Sequence, residues 1–284
     1  MRVFVAVDME GATGVAHRDH VVPGGRDYER ARKWLTGDVR AAVEGAVAAG
    51  ADEVWVSDGH GDMRNLIVDD LPEAARVVIG PAQSRNRPLV QMTGIDDGDF
   101  AACLFVGFHS RAGTPGGLLS HTWVGALVHE IRLQGAPAGE SLLDAAIAGH
   151  YGTPVVLVTG GDDVCREVRA DLGDDVETVA VKRVLGTSAC ASLTPARAQR
   201  EIREAAERAV RAREGRRPWT TTPPVVMEVE FHRREMREKA LRANVGEATG
   251  ERCVRYEAGD VPTAAKHVWR GLEAALLEDS SWLA

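Results

Sequence analysis

The chain has 284 residues, 44% hydrophobic and 27% charged, which is the balance of a soluble globular protein with room for one large domain or two modest ones. A net charge of −8 argues against a generic nucleic-acid binder, which wants a basic face, and no apolar stretch reaches the length of a bilayer span. The opening Met-Arg runs straight into an apolar segment with no signal-peptide pattern, and the four cysteines lie far apart with no C-x-x-C pair, so the expectation is a cytoplasmic protein with reduced thiols.

The first apolar run, Val3 to Val7, is short, rich in β-branched residues and free of charge, as a buried strand would be. It ends in Asp8-Met9-Glu10-Gly11. Residues 27–49 follow with Tyr28, Ala31, Leu35, Val39, Ala42, Val43 and Ala46 at helical spacing, and Gly50 is placed to end the helix. A second strand, Glu53 to Ser57, runs into Asp58-Gly59-His60. A third is expected at Ala75 to Ile79, and a fourth at Ala101 to Gly107 before Phe108-His109. Residues 122–135 read as extended or hairpin segments, and a helix is expected from about Gly139 to His150. Strands follow at Pro154 to Thr159 and Val176 to Val181, then a charged amphipathic helix over 195–214. Arg216 to Pro224, with its prolines and threonines, reads as a linker. Beyond it come a strand (Val225 to Glu230), a charged helix near 232–243, a short strand near Arg252 to Tyr256 and a last helix over about Val261 to Leu277. The alternation predicts an α/β domain over 1–215, a mostly parallel sheet flanked by helices, and a smaller α+β unit over 216–284 packed on it.

Three strand ends carry metal-type ligands: Asp8 and Glu10, then Asp58 and His60, then His109. In an open α/β sheet the C-terminal ends of neighbouring strands meet at one crevice. On extended chain, residues two apart point the same way, so Asp8 and Glu10 aim two like charges at one place, where a cation relieves their repulsion. Mixed carboxylate and imidazole donors suit zinc or a similar divalent ion, and five of them suit two ions sharing a carboxylate better than one. Taken singly, each residue has an ordinary reading. An aspartate after a strand caps or turns the chain, and Asp58-Gly59 is a common turn dipeptide.

As a set, Val7-Asp8-Met9-Glu10-Gly11, Ser57-Asp58-Gly59-His60, Gly107-Phe108-His109, Thr114-Pro115-Gly116 leading to Ser120-His121-Thr122, and Gly139-Glu140 resemble the D-aminopeptidase (DppA-like) family of zinc peptidases. The resemblance extends to Val229-Glu230-Phe231 and to Val254-Arg255-Tyr256-Glu257-Ala258 in the tail. It implies a centre of two Zn²⁺ ions per subunit, with Asp8 bridging, Glu10 and His60 on one ion, His109 and Glu140 on the other, and Asp58 behind them. Spacing alone does not select Glu140, which begins a predicted helix and could serve only to stabilise its N-terminus. The resemblance also implies that His121 is catalytic, assisting a metal-activated water in removing the N-terminal residue, of D-Ala type, from short peptides. Further implications are a homo-oligomer, in the form of a ring such as a decamer, with no nucleic-acid or membrane partner. Gly116-Gly117 makes the loop before His121 one residue longer than the family pattern.

Other features have plainer readings. His17 and His20 fall in a polar loop beside the first strand end, His150 at a helix end, and His232 and His267 in the tail. Gly11-Ala12-Thr13-Gly14 lacks the spacing of a dinucleotide-binding loop. Two other functions fit the same residues: a metal-dependent amidase or esterase on another small molecule, and a non-catalytic metal-binding protein.

Overall fold

In the computed structural model, which describes residues 1–81, 87 and 89–277, the elements run β1 (Arg2–Val7), α1 (Arg18–Val21), α2 (Tyr28–Ala48), β2 (Glu53–Asp58), β3 (Ala75–Val78), β4 (Ala102–Phe108), β5 (Val128–Leu133), β6 (Ala136–Pro137), α3 (Glu140–His150), β7 (Val155–Gly161), α4 (Asp162–Leu172), β8 (Glu177–Gly186), β9 (Ala189–Ser192), α5 (Pro195–Arg211), β10 (Val225–Phe231), α6 (Arg234–Leu241), β11 (Glu247–Ala248), β12 (Cys253–Ala258) and α7 (Val261–Leu277). Seven strands form one sheet in the order β3-β2-β1-β4-β7-β8-β9. All its pairings are parallel except the β8–β9 hairpin at one edge. Val3 to Val7 are wholly buried. That explains an uninterrupted apolar run where a one-sided strand would alternate.

Register sets the geometry of everything that follows. Val7 lies opposite Asp58 on one side and Val106 on the other. The chain builds outward from β1 to β2 and β3, then returns to the opposite side of β1 for β4, β7 and β8. The strand order therefore reverses at β1, and the crevice beyond its C-terminal end is the place where open α/β sheets bind ligands.

Helices α2 and α5 cover one face of this sheet. Ala31, Leu35, Val39, Ala42, Val43 and Ala46 of α2 pack with Ala198, Ile202, Ala205, Ala206 and Ala209 of α5. At Gly45 a side chain would lie 2.3 Å from the Arg203 carbonyl oxygen, so the close helix crossing requires glycine there. Small residues stand in for the scarce aromatics along this seam.

The opposite face belongs to a second core shared with α3, α7 and an antiparallel sheet of order β11-β12-β10-β5-β6. Along β10 the pattern is strictly alternating: Val225, Met227, Val229 and Phe231 are buried while Val226, Glu228 and Glu230 are only partly covered. Helix α3 lies in this core, and α7 packs against β10 and β12. The α/β class is as expected, with a mostly parallel main sheet and a smaller unit beside it. That smaller sheet draws β5 and β6 from residues 128–137 and the rest from the tail. Helices α1 and α4 and the short strands β9 and β11 are additions to the sequence reading, whereas β8 extends the strand expected at Val176 to Val181. Among the described residues no helix is long and apolar enough to cross a membrane.

Candidate metal centre

Asp8 leaves β1 with its amide on the Val106 carbonyl (2.9 Å), and Gly11 donates to Gly107 O (2.8 Å). The Asp8–Gly11 segment therefore continues the β1–β4 pairing past the end of β1. A side chain at Gly11 would lie 1.8 Å from the Phe108 carbonyl oxygen, so only glycine lets these two strand ends close up. On the other side, Gly59 donates to Val7 O (2.8 Å), which carries the β2 end toward the same crevice.

Five of the sequence-selected side chains converge there. His60 Nδ1 lies 3.0 Å from Glu10 Oε2 and 3.4 Å from Asp8 Oδ1. His109 Nε2 lies 3.2 Å from Asp8 Oδ2 and 3.5 Å from Glu140 Oε1. The two oxygens of Asp8 thus face different imidazoles, and each imidazole has a second carboxylate beside it. His121 joins as a sixth. Its ring stacks on His109 with centroids 4.2 Å apart and planes at 13°, and its Nε2 is 3.8 Å from Glu140 Oε1. Asp8, Glu10, His109 and Glu140 are each at most 5% exposed, whereas the His121 side chain keeps 25% exposure.

The donor set fits divalent cations on three counts. Two donors each about 2.0–2.1 Å from a tetrahedral zinc stand about 3.3 Å apart, close to the spacings above. Despite those short separations, Asp8 Oδ2, Glu10 Oε2 and His109 Nε2 are buried without an aligned hydrogen-bond partner. Such atoms are costly unless something else occupies their lone pairs. Third, every imidazole has its far nitrogen on a main-chain carbonyl: His60 Nε2 on Val21 O (2.7 Å), His109 Nδ1 on Ser110 O (2.9 Å) and His121 Nδ1 on Leu119 O (2.9 Å). A carbonyl only accepts, so each far nitrogen carries the hydrogen, and the site-facing nitrogen is the one available as a ligand. Two groupings, Asp8 with Glu10 and His109, and His109 with His121 and Glu140, each bring three donors within 4.8 Å of one another.

The charges interact strongly. Burial, and after it the Glu10 carboxylate, pushes Asp8 up to about 6. Burial would raise Glu10 and Glu140 too, but His60 holds Glu10 well below the carboxylate range, and His109 with His121 holds Glu140 down at about 2. Burial would lower His60 and His109, yet Glu10 and Asp8 hold His60, and Asp8 and Glu140 hold His109, well above the ordinary imidazole value. In a buried cluster of three carboxylates, positive charge is retained wherever it can sit. A divalent ion competes for the same place as those protons.

Asp58 stands behind the cluster, wholly buried, but it orients no imidazole. Its oxygens accept from Asn65 N (2.6 Å), Asn65 Nδ2 (2.9 Å) and Leu66 N (2.9 Å), and Asn65 Nδ2 in turn donates to His60 O (2.7 Å). Asp58 therefore shapes the 58–66 turn that delivers His60. His17 caps the start of α1 by accepting from Asp19 N, and His20, within α1, accepts from Ala16 N. What α1 contributes to the centre is the Val21 carbonyl.

Glu140 opens α3 directly after β6, with the aligned amides of the helix start beside its charge. Its oxygens accept from Trp123 N (2.6 Å) and from the amide of buried Gln91. Gln91 was not singled out from the sequence, nor was Lys182, whose buried Nζ reaches the carbonyl of Glu10 at 2.6 Å. The loop that carries His121 is held by Asp163, which accepts from Ser110 Oγ (2.8 Å) and Leu118 N (3.2 Å). Leu119 and Trp123, on either side of His121, both sit in the left-handed region (φ 53° and 54°). Strained non-glycine residues of this kind concentrate at functional sites.

Comparison with known proteins agrees across the whole chain. The family model described as D-aminopeptidase matches residues 1–269. The D-aminopeptidase of Bacillus subtilis (strain 168) is 34% identical over 262 residues, covering 92% of this chain and 93% of that protein. Among solved structures, the Zn-dependent D-aminopeptidase DppA from Bacillus subtilis, described as a self-compartmentalizing protease, superposes with a TM-score of 0.92 at 32% identity, covering 98% of this chain and 99% of that one.

Proposed function

The chain belongs to the D-aminopeptidase family, and from that membership we propose that it is a zinc-dependent aminopeptidase acting on short peptides with a free N-terminal residue of D configuration. The observation that carries the reading is Asp8, whose two oxygens face two separate histidine–carboxylate pairs. We assign Asp8, Glu10 and His60 to one zinc ion and Asp8, His109 and Glu140 to a second, with Asp8 shared. Zinc held there lowers the pKa of a bound water toward neutrality and polarises a peptide carbonyl.

His121 is the residue placed to handle the proton. Its Nδ1 is fixed on Leu119 O, its Nε2 faces the centre, and it is the one imidazole of the three with a quarter of its side chain exposed to an arriving substrate. In this reading Nε2 takes the proton given up by the attacking water and passes it to the departing amine, and while protonated it supports the developing oxyanion. The solved relative is described as self-compartmentalizing. Carried over, this chain forms a ring-shaped homo-oligomer, a decamer being the size to test, whose enclosed sites admit only small peptides. Four free cysteines, two of them buried, fit a reducing cytoplasm.

Metal analysis of the purified protein, joined to a panel of D- and L-Ala dipeptides beside amides and esters, tests the proposal. Two zinc ions per subunit with preferential cleavage of the D-dipeptides is the expected result. Faster turnover of amides or esters than of any dipeptide would replace the peptidase reading. His121→Ala should lose at least about 100-fold in kcat while keeping both metals; full turnover in that variant removes His121 from the mechanism.

A further inference from the structure

Lys182 is a buried cation with no carboxylate against it. It lies on β8 and is 2% exposed, and no ion pair to it exists among the described residues. Its Nζ instead donates to three main-chain carbonyls: Glu10 O at 2.6 Å, Val15 O at 2.7 Å and Ala12 O at 2.9 Å. An ammonium has three N–H groups and no lone pair, so three converging carbonyls satisfy it completely. A neutral apolar side chain there would leave the buried oxygens of Glu10 and Val15 without this donor and Ala12 O with only the longer bond from Val15 N.

All three carbonyls belong to one turn, residues 10–15, which begins at Glu10. The turn has few hydrogen bonds of its own, Ala12 N to Met9 O (3.1 Å) and Val15 N to Ala12 O (3.2 Å). It is held from outside. Thr13 donates through its amide (2.8 Å) and hydroxyl (3.0 Å) to Asp38 on α2, and Gly14 N donates to Ser192 Oγ (2.9 Å). Its acceptors go to Lys182. The consequence is sharpest at the peptide unit joining Glu10 to Gly11. The N–H of that unit is on Gly107 O and its C=O is on Lys182 Nζ, so the plane is pinned at both ends. Rotation about the Cα–C bond of Glu10 is thereby fixed.

We propose that Lys182 is a positioning residue of the metal centre: its ammonium pins the Glu10–Gly11 peptide and so sets the direction in which Glu10 presents its carboxylate to His60. This rests on the reading of Glu10 and His60 as metal ligands. The His109 and Glu140 side is tied through Ser110, Trp123 and Gln91 and shares none of these contacts. Loss of the clamp therefore loosens one half of the centre and spares the other.

The test uses full-length Lys182→Ala with two readouts: amide hydrogen exchange in the metal-free protein, and stepwise zinc affinity by chelator competition. Amides of residues 11–15 should exchange about tenfold faster or more, while those of β4 and α3 keep their protection. One zinc step should weaken roughly 10- to 100-fold, the range for residues that orient ligands, with the other step within about threefold. Propylammonium should restore the weakened step and propanol should not, because the cradle takes a cation. Unchanged exchange, equal weakening of both steps, or rescue by propanol as well as the amine overturns the proposal. If Lys182→Ala does not fold, Lys182→Arg decides. Its planar fork keeps the charge but cannot aim at three converging oxygens, so about three- to tenfold weakening of one step is expected and wild-type affinity at both overturns the clamp. A wild type that fails to bind zinc in two steps, with residues 11–15 still released in the variant, would leave the clamp standing and bring down the ligand assignment alone.

Discussion

The two halves of the centre are built differently. Asp8, Glu10 and His60 come from the ends of two adjacent parallel strands, and the main chain there continues the sheet's own hydrogen bonding: Asp8 N to Val106 O, Gly11 N to Gly107 O, Gly59 N to Val7 O. His109, Glu140 and His121 come from a strand end, a helix start and a loop. Of these, Glu140 arrives by way of the antiparallel hairpin β5–β6, and the supports of this half include Val90, Leu119 and Trp123 in left-handed conformations. One half is a by-product of parallel strand register. The other has to be assembled from irregular backbone that surrounding contacts hold in place. The first half should therefore fail when the sheet is disturbed, and the second when individual supports are removed.

The largest effect is expected at Gly11. An alanine there would meet the Phe108 carbonyl at 1.8 Å, which backbone cannot yield without parting β1 from β4. Gly11→Ala should cost upwards of about 4 kcal/mol and empty the site, measured by urea unfolding and zinc content. Gly125→Ala places its new carbon 3.0 Å from His121 Cβ and should reduce kcat with little change in either quantity. If both variants behave alike, the contrast between the halves is wrong.

His60→Ala and His109→Ala each remove a proposed ligand from one half. Both should lose zinc and activity together, with the residual single zinc, read by metal analysis, assigned to the opposite half in each case.

Asp38 supports the first half through Thr13, and burial pushes its carboxyl up to about 6. The sign follows from proton binding. Between about pH 4 and pH 6 the folded chain holds this proton more tightly than the unfolded chain, so ionisation costs the fold as pH rises through that window. The cost, absent below it and complete above it, is of order 2–3 kcal/mol. Unfolding of the metal-free protein across that range should differ between the wild type and Asp38→Asn by this one group's share of the slope, the Asp8 share remaining in both.

The smallest effect belongs to Gln91. Removing its amide from Glu140 with Gln91→Ala should weaken one zinc step about 10- to 100-fold and leave the other in place, the mirror image of the expectation for Lys182.

How much of this was legible in the sequence follows the same division. The β-branched run into Asp8 and Glu10 and the dipeptide before His60 are local patterns, because a buried parallel strand needs an apolar run and places its chemistry at its end. The long α2 is equally plain in its spacing. Helix α4 was not foreseen, since its eleven residues bury only Val164, Cys165 and Val168 as apolar anchors amid six charges. Nor was β9, an Ala-Cys-Ala-Ser edge strand of low strand propensity. Glu140 emerged through family resemblance, because a glutamate at a helix start has an ordinary explanation. Gln91 and Lys182 left no local trace. They act across 49 and 172 residues, the first on a side chain and the second on main chain, and neither kind of contact writes a periodicity or a spacing.

The carbonyl behind each imidazole has a consequence for time as well as for affinity. Because Val21 and Ser110 already fix the ring orientation and hydrogen placement of His60 and His109, a molecule stripped of the proposed zinc would need no imidazole search before recapturing it. In that reading, what separates it from the zinc-loaded form is the departure of a proton from the inward nitrogens of His60 and His109, which their carboxylate neighbours hold well above the ordinary imidazole value. Reloading should then run at the pace of ion encounter and proton loss, without a slow conformational phase.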